Sequence, residues 1–219
     1  METIHFYIKY MCCNRCIDTV RNLLKKAGYK TLSVTLGEAV IAKHLGQDDL
    51  SAIRVAFNQY GFDIADKEED KLVVKIHSHL CKYLNMAVTK ERKQHPRLPA
   101  YLPELMHCNY NYLSKIFSDV TGVTIEKYYT RLKTEKAKEL IVQRELCLAD
   151  IALHLGYRSQ QTFRTRFRKE TGVSPDEYKL QPVSKKIQGK KLLRNILNKP
   201  DLITNKSEEA LKPILIILL

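Results

Sequence analysis

The stretch GYRSQQTFRTRFRKETG, residues 156–172, decides how the second half of this chain folds. Just before it, LADIALHL (148–155) puts Leu148, Ile151, Ala152 and Leu155 on one helical face. Gly156 supplies a break at which a helix can end in a left-handed residue. Ser159 is a natural N-cap for a second helix running to about Glu170, because its hydroxyl oxygen can take an orphan N–H of the first turn. Phe163 and Phe167 are four apart and face inward. Gln160, Gln161, Thr162, Arg164, Thr165, Arg166 and Arg168 remain as a dense polar and basic set. The spacing predicts a helix-turn-helix.

Any single helix of this kind also fits a solvated amphipathic helix. An internal repeat decides against that reading. YLSKIFSDVTGVTIEKY (112–128) aligns without gaps on TFRTRFRKETGVSPDEY (162–178) at an offset of 50 residues. Phe117 meets Phe167, Thr-Gly-Val at 121–123 meets 171–173, and Tyr128 meets Tyr178. Leu113 takes the apolar place of Phe163. Upstream, LPELMHCN (102–109) gives a short helix and turn, with Asn109 standing where Ser159 stands later. The chain carries two similar units, and such self-similarity has to be recognised before the fold is assigned.

Amide and guanidinium groups opposite a buried stripe suit the major groove of DNA. Gln pairs in bidentate fashion with adenine, and Arg with guanine or with phosphate. With the repeat, the tract IALHLGYRSQQTFRTRFRKETGVSPDEY (151–178) resembles the AraC/XylS family of transcription regulators, over roughly Lys71–Leu180. The resemblance implies a DNA-binding domain, residues 71–182, of two helix-turn-helix units joined by one long helix. It implies double-stranded DNA as partner, RNA polymerase as a candidate contact, and no cofactor required. By match to the family's second recognition helix, Gln160, Gln161, Thr162, Arg164, Thr165 and Arg168 are the candidate DNA-binding residues. Asn111, Ser114 and Lys115 are their counterparts in the first unit, a less basic set. The family includes monomeric and dimeric binders, so oligomeric state stays open.

Charge follows the same division. The chain of 219 residues has a formal net charge of +13, yet residues 1–66 hold 8 Lys/Arg against 7 Asp/Glu. A nearly neutral segment joined to a basic one points to a polyanion partner for the basic part only. No apolar run approaches the roughly 20 residues needed to span a bilayer. The N-terminus enters an alternating strand rather than a signal peptide. Six cysteines, three of them crowded at 12, 13 and 16, are unlike a secreted disulfide framework. A cytoplasmic, reducing location is expected.

In residues 1–66, Ile4, Phe6, Ile8 and Tyr10 alternate with polar neighbours as in a half-buried strand. Ile17, Val20, Leu23 and Leu24 mark a helix closed by Ala27 and Gly28. TLSVTLG (31–37) and EAVIAKHL (38–45) read as two strands joined at Gly37. Leu50, Ile53, Ala56, Phe57 and Tyr60 mark a second helix, and FDIA a last short strand. The order βαββαβ is that of a ferredoxin-like domain. With that order, YMCCNRCIDTV (10–20) resembles a heavy-metal-associated domain, which carries Met-x-Cys-x-x-Cys in its first loop, here Met11, Cys13 and Cys16. Two thiolates so spaced before a helix can grip one soft ion, Cu(I) first and Zn(II) next. Cys12 departs from the pattern and is a third candidate ligand. A metal-free ferredoxin-like interaction module, its cysteines incidental, is the alternative.

DKEED (66–70) reads as a charged break, the expected domain boundary. Val73, Ile76, Leu80, Tyr83 and Leu84 form one face of a helix; His77 and Cys81, one turn apart on it, read as a structural pair. MAVTKERKQHPRLPAYLP (86–103), with three prolines, reads as a loop. IEKYYTRLKTEKAKELIVQR (125–144) is the connecting helix, with Tyr128, Tyr129, Leu132, Ala137, Leu140 and Ile141 inward. The tail, 183–219, is basic and ends in the apolar LKPILIILL. No nucleophile–base pair, phosphate-cradling loop or carboxylate constellation points to an enzyme. The fold class expected is α+β, a ferredoxin-like domain followed by an all-α domain. The function expected is DNA-binding regulation responding to a soft metal ion. A metallochaperone whose basic half only docks to a partner is the competing class, and it would not need two matched helices.

Overall fold

The computed structural model describes residues 3–11, 13–42, 47–88 and 97–180. Cys12, the end of the third expected strand and the tail from 181 lie outside the described residues. The chain divides into two compact units, one whose described residues end at Ala65 and one that begins at Asp66.

The first unit runs β1 (Thr3–Lys9), α1 (Asn14–Lys26), β2 (Thr31–Thr35), β3 (Glu38–Ala42), α2 (Gln47–Gln59) and β4 (Asp63–Ile64). Its sheet has the order β2-β3-β1-β4, with antiparallel neighbours throughout. Alternation buries Phe6 and Ile8 of β1 against Val20 and Leu24 of α1 and Phe57 of α2. Gly37 sits at φ +83° in the turn between β2 and β3, where an L side chain would be strained. Tyr10 was expected to extend the first strand. Instead it takes φ +70°, and the strand ends at Lys9. That turn drops Met11 into the core, fully buried, with its sulfur accepting the Gly37 N–H at 3.3 Å.

The second unit is helical: α3 (Glu68–Val88), α4 (Leu98–Met106), α5 (Tyr110–Thr121), α6 (Ile125–Gln143), α7 (Leu148–His154), α8 (Gln160–Thr171) and α9 (Pro175–Leu180). One apolar core runs through all of them, from Ile76 and Leu80 of α3 to Tyr178 of α9. Two sequence expectations need correction here. The tract expected as a charged break is largely helix, because Glu68, Glu69 and Asp70 form the first turn of α3. Carboxylates there complement the helix dipole. Residues 98–101, expected as loop, belong to α4, which begins four residues ahead of the short helix expected from 102. Pro99 falls in the first turn, where its missing N–H costs nothing, and burial of Tyr101 and Leu102 offsets the bond lost at Pro103. His77 is buried with the Tyr128 hydroxyl 2.8 Å from its Nδ1 and the Cys81 sulfur 3.7 Å from its Nε2, a packed core pair.

Candidate nucleic-acid interface

The two units built around α5 and α8 repeat each other atom for atom at several points. Each helix opens on a side-chain cap: Asn109 Oδ1 accepts the Asn111 N–H, and Ser159 Oγ accepts the Thr162 N–H. Each ends at a glycine of positive φ, +75° at Gly122 and +80° at Gly172. The Gly122 N–H bonds back to the Ser118 carbonyl and the Gly172 N–H to that of Arg168, both at 2.8 Å. Thr121 Oγ1 donates to the Phe117 carbonyl at 2.7 Å and Thr171 Oγ1 to that of Phe167 at 2.8 Å. Phe117 meets Tyr128 edge-on at 5.2 Å between ring centres, and Phe167 meets Tyr178 likewise at 5.6 Å.

These devices fix which way α8 faces. With about 100° per residue, burying Phe163 and Phe167 turns Thr165 directly outward, flanked by Gln161, Arg168 and Lys169. All four are exposed. Gln160 is exposed at the first turn. Thr162 is exposed too, but its hydroxyl lies 2.9 Å from the Ser159 Oγ inside the cap. Thr165 Oγ1 donates to the Gln161 carbonyl at 3.0 Å, which leaves its oxygen free only to accept. Arg164 stands at the rim, half-buried, its Nη1 2.5 Å from Asp176 Oδ2 of α9. In α5 the same projection puts Asn111 and Lys115 outward and exposed, with Ser114 half-buried at the rim. The structure therefore brings Gln161, Thr165 and Arg168 onto one face of α8 and Asn111 and Lys115 onto one face of α5, and leaves Arg164 and Ser114 at the rims and the Thr162 hydroxyl in the cap. It adds Lys169, which the helical projection of the sequence would have found, and leaves Arg166 of the basic set exposed on the flank.

α8 is tied to the connecting helix. The Lys133 ammonium of α6 sits over the Tyr157 ring at 4.4 Å and the Tyr129 ring at 5.3 Å, and Arg131 lies 4.0 Å from Glu170. Burial pushes the Tyr157 hydroxyl above its usual range. α6 has 19 residues, hence a length of about 28 Å. Its inward residues include Tyr128, Tyr129, Leu132, Ala137 and Ile141 as expected, with Leu140 only partly buried.

Residues 103–181 match a family model described as a helix-turn-helix domain. They form a helix-turn-helix domain. Over 76 residues this chain is 33% identical to the uncharacterized HTH-type transcriptional regulator YtdP of Bacillus subtilis, covering 35% of this chain and 10% of that protein. Over 76 residues it is also 33% identical to the melibiose operon regulatory protein of Escherichia coli, covering 35% and 25%. Among solved structures, the C-terminal domain of AraT, a response regulator from Geobacillus stearothermophilus, aligns at 23% identity and a TM-score of 0.36, covering 59% of this chain and 95% of that one. The chain thus spans a quarter or less of the length of these two regulators. The helix-turn-helix domain lies wholly in the second unit.

The thiol pair lies in the first unit. Cys13 precedes α1 and its carbonyl accepts the Cys16 N–H at 3.0 Å, which turns both side chains to the same side. Their sulfurs are 3.6 Å apart and partly exposed. That is too far for a disulfide, about 2.05 Å, and near the roughly 3.8 Å of two thiolates on one tetrahedral Zn(II). The donor pair fits a soft ion. Among the described residues, no group of three or more His, Cys, Asp or Glu could hold a metal. Nor is any described helix long and apolar enough to cross a membrane.

Proposed function

We propose that this chain is a sequence-specific, double-stranded-DNA-binding transcription regulator of the cytoplasm, with α5 and α8 as its two recognition helices. The observation that carries the reading is the repeat: two helices with side-chain caps, closing glycines and core rings at matching positions and with outward polar faces, in a segment that matches a helix-turn-helix model. A solvated surface needs no such duplication. Gln161, Thr165 and Arg168 face the bases from α8, Gln160 and Thr162 sit at its entry, and Arg164 reaches in from the rim. Asn111, Lys115 and Ser114 do the same from α5. The length of α6, about 28 Å, is close to the roughly 34 Å between successive major-groove faces, which suits one DNA face with modest bending.

The first unit is read as a ferredoxin-like, heavy-metal-associated domain that makes DNA binding respond to Cu(I) or Zn(II) through Cys13 and Cys16. The sheet order β2-β3-β1-β4 and the 3.6 Å sulfur separation support this. A metal can shift DNA affinity only by binding one affinity state more tightly than the other. The test is DNA affinity of the full chain with and without Cu(I) under reducing conditions. A metal-dependent change that Cys13→Ser with Cys16→Ser erases supports the sensing reading. Unchanged affinity with metal bound removes it and leaves an interaction module.

A further inference from the structure

At the offset of 50 residues that relates the two units, Glu126 and Asp176 occupy the same place, the second residue of the helix that follows each recognition helix. In both units this carboxylate reaches back to the recognition helix, but it takes hold of a different residue. Glu126 accepts from the Tyr110 hydroxyl at the first position of α5. Asp176 accepts from Arg164, one turn further along α8, at 2.5 Å. The difference follows from the side chains. The counterpart of Arg164 in α5 is Ser114, too short to span the gap, and the counterpart of Tyr110 in α8 is Gln160.

We infer that Asp176 is a positioning residue for DNA reading: it aims the Arg164 guanidinium at a base edge and keeps it from phosphate. The inference rests on the proposed function above. An unpaired arginine at the rim of a recognition helix can swing to the nearest phosphate, which carries no sequence information. With Asp176 bonded to Nη1, the planar fork is held at the rim of α8, and its remaining N–H donors can meet a guanine bidentately. The pair contributes little to folding, because Arg164 and Asp176 are 39% and 51% exposed. Its consequence is directional. Glu126 has no such arginine to aim, so the helix-turn-helix built on α5 lacks this device.

The test measures binding of the full chain and its variants to a duplex enriched from a random pool by the wild-type chain, and to random duplex of equal length. Asp176→Asn should lower the ratio of the two affinities by about fivefold or more, since one bidentate contact is at stake. Asp176→Glu should restore most of the ratio, and the thermal midpoint should stay within a degree or two in both. In an Arg164→Ala background, Asp176→Asn should no longer alter the ratio. If Asp176→Asn strengthens binding to both duplexes equally, with or without Arg164, its charge merely repels DNA and the inference is overturned. A wild-type chain that enriches no duplex overturns the DNA-binding reading itself, and the inference with it.

Discussion

Gln161 sits beside Thr165 on the outward face of α8, exposed and without a core role, so its side chain is a probe of base reading. Gln161→Ala should cost about 1–3 kcal/mol on the preferred duplex and little on random DNA, measured by equilibrium binding. Uniform loss on both would mean that the residue touches backbone. Phe167, on the opposite side, packs against Phe163 and Tyr178 at 5.7 and 5.6 Å between ring centres. Phe167→Ala should destabilise the second unit by about 3–5 kcal/mol in urea unfolding, with DNA binding lost as a consequence. His79 on α3 gives a pH signature. Burial, with Lys82 and Lys75 nearby, holds its imidazole below the ordinary histidine range. The unfolded chain therefore takes up a proton first as pH falls, and this share of stability is present above about pH 6.5 and lost below it. The urea midpoint should drop between pH 7.5 and 5, and drop less in His79→Gln. An equal drop in the variant would mean that other groups carry the effect.

At the level of elements, caps and glycines explain why α5 and α8 begin and end where they do. Ser159→Ala and Asn109→Ala should each cost about 1 kcal/mol in urea unfolding, because each leaves a helix N–H without its partner. Loss of neither would mean that water caps these helices equally well. The bounds of α8, its cap at Ser159 and its inward rings were legible from the sequence, since each rests on local chemistry and on a spacing. The repeat added the first unit. Of α4 only the second half was legible, in LPELMHCN (102–109): Pro99 and Pro103 argue for loop at its start, and the tertiary burial of Tyr101 and Leu102 decides for helix. The start of α3 was hidden for a related reason, since Glu68 to Asp70 look like a solvated charge run until the helix they open is seen. Tyr10 carried the alternating pattern one residue past the strand because pattern alone does not register a left-handed turn. For the site, the candidate residues could be named but not ranked. The pairing of Arg164 with Asp176 depends on how α9 packs, which residue types on α8 do not reveal.

For the whole molecule, the account divides labour between a nearly neutral unit and a basic one. A fragment of residues 66–182 should retain most of the DNA affinity of the full chain, and residues 1–66 should show none. Cys13→Ser with Cys16→Ser should abolish stoichiometric Cu(I) binding, followed by competition with a chromogenic chelator, and leave metal-free DNA affinity unchanged. Cys12→Ser alone should weaken Cu(I) binding if Cys12 is a third ligand and leave it unchanged if it is not. The central claim, that the paired helices read DNA sequence, is tested most directly by titrating the full chain against an enriched duplex and a random one over a range of salt. The account predicts that the enriched duplex binds about 10³-fold more tightly or better, and that both affinities fall steeply and log-linearly with salt. Equal affinity for the two duplexes, or binding that salt does not weaken, would contradict it.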